Sequence, residues 1–331
     1  MEIILLSLGV LIYLFTVLDI VQTTLSMQGG GLITSRFSHG FWTLFLKMSG
    51  RDGKKKILSH TGYILLISIV LIWVFLLWSS FVLLLASHEG SVINSTTKEA
   101  TGLLEKIYYA GFTISTLGVG DYIPALNSWR IISAIYSFTG LILLTMSVTY
   151  FIPVLSAIIE QRKLGIRLSN LGNSPEEILV NSWNGKDFRE FTEKINDLSE
   201  SLVHHSQNHR AYPVIHYFHN WKEKNAVILQ LARLHEALYL LKYEIDKEKS
   251  PNEMDLKPLE IAFQNYREVI TEVTHIKIIE EAPPLAETSI LKELGLIIED
   301  RSNIEVNEEL INTRRLFQTL VRQDGWSWKM V

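Results

Sequence analysis

The chain has 331 residues, enough for two domains, and its 31 Lys and Arg against 35 Asp and Glu leave a net charge of −4. It has no cysteine, which excludes disulfides, thiol catalysis and cysteine-based zinc sites, and no basic tract of the kind that tracks nucleic acid. The charge is unevenly placed: residues before 161 sum to +1 and the rest to −5, so a nearly uncharged half precedes a mildly acidic, polar one.

Three spans are expected in chain order. Residues 3 to about 26 form the first, interrupted only by Asp19. A signal peptide fits poorly here, because no Lys or Arg precedes the apolar run and no small-residue cleavage site follows it. An acid within a span tends to be functional, as partner of a neighbouring helix or as an ion sensor. Asp19 also lies near the expected inner boundary, where reaching water is the plainer account. The following loop carries Arg36, Lys47, Arg51, Lys54, Lys55 and Lys56. Phe37, Phe41, Leu44, Phe45 and Met48, with Trp42 beside them, recur at helical spacing and predict an amphipathic helix lying in the membrane interface. Residues 57–88 and 131–159 contain no Asp, Glu, Lys or Arg and give the second and third spans.

Between those two spans lies an uncharged run of only 14 residues, from Lys106 to Asp121. That is too short to cross a bilayer, which takes about 20 apolar residues as helix. It ends in Thr116-Leu117-Gly118-Val119-Gly120-Asp121. A short helix over about Leu103 to Ser115, followed by this segment, reads as a re-entrant loop. A dehydrated cation needs successive carbonyls aimed at one axis. A uniform strand cannot supply that, but alternation of the sign of φ can, and glycine takes positive φ at little cost. Gly118 and Gly120 stand two apart, as this requires.

The segment resembles the selectivity filter of potassium channels, and the resemblance covers roughly residues 57–163 as outer helix, pore helix, filter and inner helix. Thr116, Gly118, Gly120 and Asp121 match that pattern. Leu117 stands for the usual Val, and Val119 for the usual aromatic, whose ring in the family braces the filter. The resemblance implies potassium ions held by the carbonyls of Thr116, Leu117, Gly118, Val119 and Gly120, an outer mouth made attractive to cations by Asp121, and a homotetramer. Val119 leaves a weakly selective monovalent cation channel as the alternative. In the third span, Gly140 is a hinge candidate, Pro153 is expected to kink the helix, and Phe151, Ile152 and Leu155 are gate candidates. Thr139, Thr145 and Thr149 either line the cavity or bond to the preceding turn.

Residues 164–331 read as a helical cytoplasmic domain after an N-terminal part (1–56) and a pore domain (57–163). Ser174-Pro175-Glu176-Glu177 is a helix start. Phe188, Phe191, Ile195, Leu198 and Leu202 recur at helical spacing, as do Ile228, Leu231, Leu234, Leu238 and Leu241. Further periodic segments cover about 256–278, 286–298 and 305–323, and Pro251, Pro258, Pro283 and Pro284 are expected to mark breaks. His204, His205, His209, His216 and His219 cluster in sequence. A metal or proton sensor is one reading and ordinary surface histidines the preferred one. Trp326 and Trp328 are expected to pack on their own domain.

The expectation is an all-α membrane protein of the cell membrane, with the N-terminus outside and the C-terminal region inside, from the Lys and Arg bias of the loops. It has no cofactor other than permeant potassium, and it is no enzyme, since no nucleophile–base set or phosphate loop appears. Its partners are copies of itself, membrane lipid, no nucleic acid and an unassigned cytoplasmic ligand. A non-conducting receptor or scaffold signalling through the helical domain is the reading from another class.

Overall fold

The computed structural model describes residues 1–26, 29–274, 276–297 and 308–331. Two compact units emerge: Met1–Ser26, Gly30–His39 and Ile64–Val154 form the first, and Gly40–Tyr63 with Leu155–Val331 the second. Their divisions fall within helices α2 (Leu32–Met48), α3 (Thr61–Ala86) and α5 (Asn127–Ser169).

In the first unit, α1 (Glu2–Leu25), α3 (Thr61–Ala86) and α5 are long and apolar enough to cross a membrane. Polar side chains join them at single points, as expected where lipid offers no competing partner. Ser80 Oγ donates to the Gly9 carbonyl at 2.8 Å and accepts from the Tyr136 hydroxyl at 2.5 Å. Tyr136 stacks on Phe81 with centroids 4.2 Å apart. Between α3 and α5 lie β1 (Val92–Asn94), α4 (Leu103–Ile114) and β2 (Tyr122–Pro124). The strands pair antiparallel, Val92 with Pro124 and Asn94 with Tyr122. Strands of three residues carry too little alternation to be read from sequence.

Asp19 does not reach water. It is 3% exposed, and its carboxylate accepts from Ile33 N, Thr34 N, Thr34 Oγ1 and Trp73 Nε1. The acid in α1 thus caps the first turn of α2, where free N–H groups and the helix dipole favour a negative charge. The buried face of α2 is Thr34, Ser38, Trp42 and Leu46, one turn apart, while Leu44 and Met48 of the expected stripe stand exposed.

The second unit is built around α8 (Val227–Tyr243), with α6 (Pro175–Ser182) and α11 (Glu308–Gln323) packed on it. Every residue of α8 from Val227 to Leu241 is buried, not only the expected stripe, so α8 is a central helix rather than an amphipathic one. Its buried polar groups are matched mostly by charge. Arg314 of α11 makes a bidentate pair with Glu236 through Nε and Nη2, at 2.6 and 2.9 Å, and Nη2 also donates to the Pro283 and Pro284 carbonyls. Arg233 bonds Glu223 and the Met330 carbonyl.

Helix α7 (Arg189–Ala211) packs along α9 (Glu253–Thr274) and buries Phe191, Ile195, Leu198 and Leu202 as the spacing predicts. Each such side chain removed from water is worth about 1.5–3 kcal/mol. Ser174 caps α6, accepting from Glu177 N at 3.1 Å, with Pro175 as its first residue. Pro258 does not break the chain. It lies in the second turn of α9, where the carbonyl it leaves without a partner belongs to Met254, an exposed residue that water can serve. Of the segment expected over 286–298, only α10 (Ser289–Glu293) is helical, and His275, Ile298 and residues 305–307 lie outside the described residues. Trp326 is buried in its own unit and its Nε1 donates to Asp324; Trp328 Nε1 donates to the Pro284 carbonyl.

Candidate ion pathway

Helix α4 ends at Ile114, and Thr116 N and Leu117 N still donate back to its last turn, to Thr113 O and Phe112 O. Beyond that point the backbone alternates. Thr116, Gly118 and Gly120 have φ of +60°, +61° and +86°. Glycine accepts this freely, whereas a β-branched threonine does not, so Thr116 is held in strained backbone by its surroundings. Among the described residues, the carbonyls of Thr116, Leu117, Gly118, Val119 and Gly120 accept no hydrogen bond. The segment is exposed throughout in the single chain: Leu117 is 71% and Val119 49% accessible.

Both ends of the segment are fixed. The Asp121 carbonyl accepts from Ser95 N at 2.9 Å, which ties the outer end to the β1–β2 pair. Asn94 Oδ1 accepts from Thr96 N and Thr97 N, so its side chain shapes that turn. On the other side Trp78 Nε1 of α3 donates to the Ile107 carbonyl, and the Tyr109 hydroxyl donates to Ser133 Oγ of α5 at 2.7 Å. Tyr108 meets Phe112 and Tyr122 edge-on. These ring contacts bear on the pore helix and the outer turn, and Val119 contributes none.

The hinge candidate Gly140 sits where α5 crosses the end of α4. A Cβ there would collide with the Ile114 carbonyl oxygen. Glycine at 140 therefore meets a need for close approach beside the filter. Helix α5 runs unbroken through Pro153. Ile152 and Leu155 are exposed and Phe151 half-buried in the single chain. Thr139, Thr145 and Thr149 each donate to the carbonyl four residues back, which is the plainer of their two readings.

Of the five clustered histidines, His204 is exposed and His216 half-buried, but His205, His209 and His219 are not surface residues. His205 and His209 continue the buried stripe of α7 one and two turns past Leu202, at 3% and 1% exposure, with ring centroids 5.6 Å apart. Burial first, then the charges of His204 and His216, bring the His205 pKa down to about 4. The same causes, burial and then His216 and His205, hold His209 well below the ordinary value. His219 is different. Its Nδ1 stands 2.9 Å from Asp324 Oδ1 and its Nε2 2.7 Å from the Gly53 carbonyl. Both partners accept, so the ring donates twice as an imidazolium. Burial alone would lower its pKa, but Asp324 and the two hydrogen bonds raise it. Among the described residues no group of three His, Asp or Glu side chains is placed to hold a metal ion.

A pore helix, a backbone segment of alternating handedness and two flanking apolar helices define a pore-loop membrane protein. The sequence profile of the family described as "Ion channel" matches residues 65–157. The chain is 32% identical over 318 residues to the "Uncharacterized membrane protein YdjJ" of Bacillus subtilis (strain 168), covering 96% of this chain and 92% of that one. No solved structure matches it. The chain belongs to the ion-channel family, with a pore domain of the two-transmembrane potassium-channel type, and is a membrane protein.

Proposed function

We propose that four copies of this chain form a channel that passes potassium ions passively across the cell membrane. One chain supplies one loop, and a pathway lined by rings of carbonyls needs several around an axis. The observation that carries the reading is the alternating backbone of Thr116, Gly118 and Gly120, with five successive carbonyls unused by the protein. Such backbone at membrane depth is tolerated only where it is covered by protein or lines a watery path. In the channel, the carbonyls from Thr116 to Gly120 replace the hydration shell of the ion. Asp121 draws cations to the outer mouth, and the C-terminal end of α4 favours a cation behind the filter.

The Lys and Arg bias of the loops puts the N-terminus outside and the residues after α5 in the cytoplasm. Regulation by the cytoplasmic helices acts through α5, whose Leu164 and Leu168 belong to the core of the helical unit. Phe151, Pro153 and Leu155 are the residues where it narrows or bends the path. A second reading, weak selectivity among monovalent cations, is favoured by Val119, an aliphatic side chain half-exposed where a bracing ring is usual.

Flux of a potassium tracer into vesicles holding purified full-length protein tests the proposal. Uptake above protein-free vesicles, abolished by Gly118→Ala, is the expected result. Uptake equal to that of empty vesicles refutes it.

A further inference from the structure

The helical unit carries a cleft lined by basic and amide side chains. This cleft of about 430 Å³ opens among Ser59, Arg162, Asn220, Trp221 and Lys222. The Nζ atoms of Lys56 and Lys222 both stand over the Trp221 ring, at 5.2 and 5.4 Å from its centroid. Among the described residues, Lys56, Lys222 and Arg162 make no ion pair. The acids next to them in sequence are already engaged, Glu160 by Lys163 and Glu223 by Arg233. Two ammonium groups brought to one ring repel each other, and the ring face offsets only part of that cost. An anion between them and the Arg162 guanidinium removes it. Asn220 adds donors: its Oδ1 is taken by Lys222 N, which leaves the amide hydrogens free to face an acceptor.

The place in the chain says which anion. Ser59 stands two residues before α3, and Arg162 three residues past the uncharged stretch of α5. Both are ends of apolar spans on the side rich in Lys and Arg, the level at which phospholipid phosphates lie. We infer that this cleft binds the phosphate group of an anionic phospholipid, with Arg162, Lys56 and Lys222 as its charge partners and Trp221 as its wall. The inference rests on the apolar spans and does not depend on ion conduction.

Thermal unfolding of the full-length protein in detergent tests it at fixed ionic strength. Wild type is compared with Arg162→Gln/Lys222→Gln and with Lys56→Gln/Lys222→Gln. Dioleoylphosphatidylglycerol is expected to raise the wild-type midpoint by several degrees, and dioleoylphosphatidylcholine not to. Each double variant should lose more than half of that shift. Equal shifts with both lipids, or a phosphatidylglycerol shift unchanged in both variants, overturns the site. Sodium phosphate matching phosphatidylglycerol overturns the lipid as its source and leaves a soluble phosphate site.

Discussion

The Trp73 indole N–H donates to the Asp19 carboxylate at 2.9 Å, inside a site that Ile33 and Thr34 complete. One acid in α1 therefore binds both α3 and the start of α2. Its charge is balanced by four donors rather than by a cation, which explains how an ionisable residue is kept within an apolar span.

Removing that acid strands buried donors. Asp19→Ala is expected to destabilise the protein by about 2–4 kcal/mol, more than Asp19→Asn, and Trp73→Phe by about 1–2 kcal/mol. Unfolding by denaturant in detergent measures the order. Asp19→Ala behaving as wild type would show that the cap contributes nothing.

How far this was legible follows from chain distance. The filter is a local pattern of six residues, so its glycines announced the alternating backbone, although the positive φ of Thr116 did not show, since threonine rarely adopts it. The Asp19 cap joins residues 14, 15 and 54 positions away, beyond any periodicity. The burial of His205 and His209 was available in principle, because the spacing of Phe191, Ile195, Leu198 and Leu202 runs on through them. Residue type misled there, and on α8 the apolar stripe alone gave no sign that Arg233 and Glu236 are buried too, paired with Glu223 and Arg314.

Gly140→Ala places a methyl group against the Ile114 carbonyl at the base of the filter. Ion flux should fall at least about tenfold while the protein still folds, because a small displacement of filter carbonyls costs on the order of 1.4 kcal/mol or more in the barrier. Gly111→Ala, whose added Cβ meets Trp78 only at ordinary contact distance, is the milder comparison. Flux assays on both separate close approach from general helix effects.

Stability should fall on both sides of neutral pH. His205, His209 and His235 have lowered folded pKa values, about 4 for His205 and about 3 for His235, the latter from burial and then Arg314. Above about pH 6.5 they are neutral whether folded or not. As the pH drops below that, the unfolded chain takes up protons that the folded chain refuses, and stability declines until the folded values are passed. His219 has the opposite sign: its raised value contributes stability below about pH 6.5 that is lost as the pH climbs through the folded value. Unfolding midpoints measured from pH 4 to 9 check this. His205→Leu should flatten the acid limb by about 3 kcal/mol and His219→Gln the alkaline one.

Breaking the Arg314–Glu236 pair from one side leaves a buried carboxylate, whose pKa burial already raises against the pull of Arg314. Arg314→Met should cost about 3–5 kcal/mol, and Arg314→Met/Glu236→Leu should regain most of it. A double-mutant cycle reads the coupling. Additive losses would mean the two groups act independently.

In the proposed channel the Thr116–Gly120 carbonyls select and pass potassium. Reversal potential across a planar bilayer holding the purified protein, with potassium on one side and sodium on the other, tests it most directly. A reversal potential displaced tens of millivolts toward the potassium equilibrium value is the predicted result. A reversal potential near zero with current flowing, or no current at all, contradicts it.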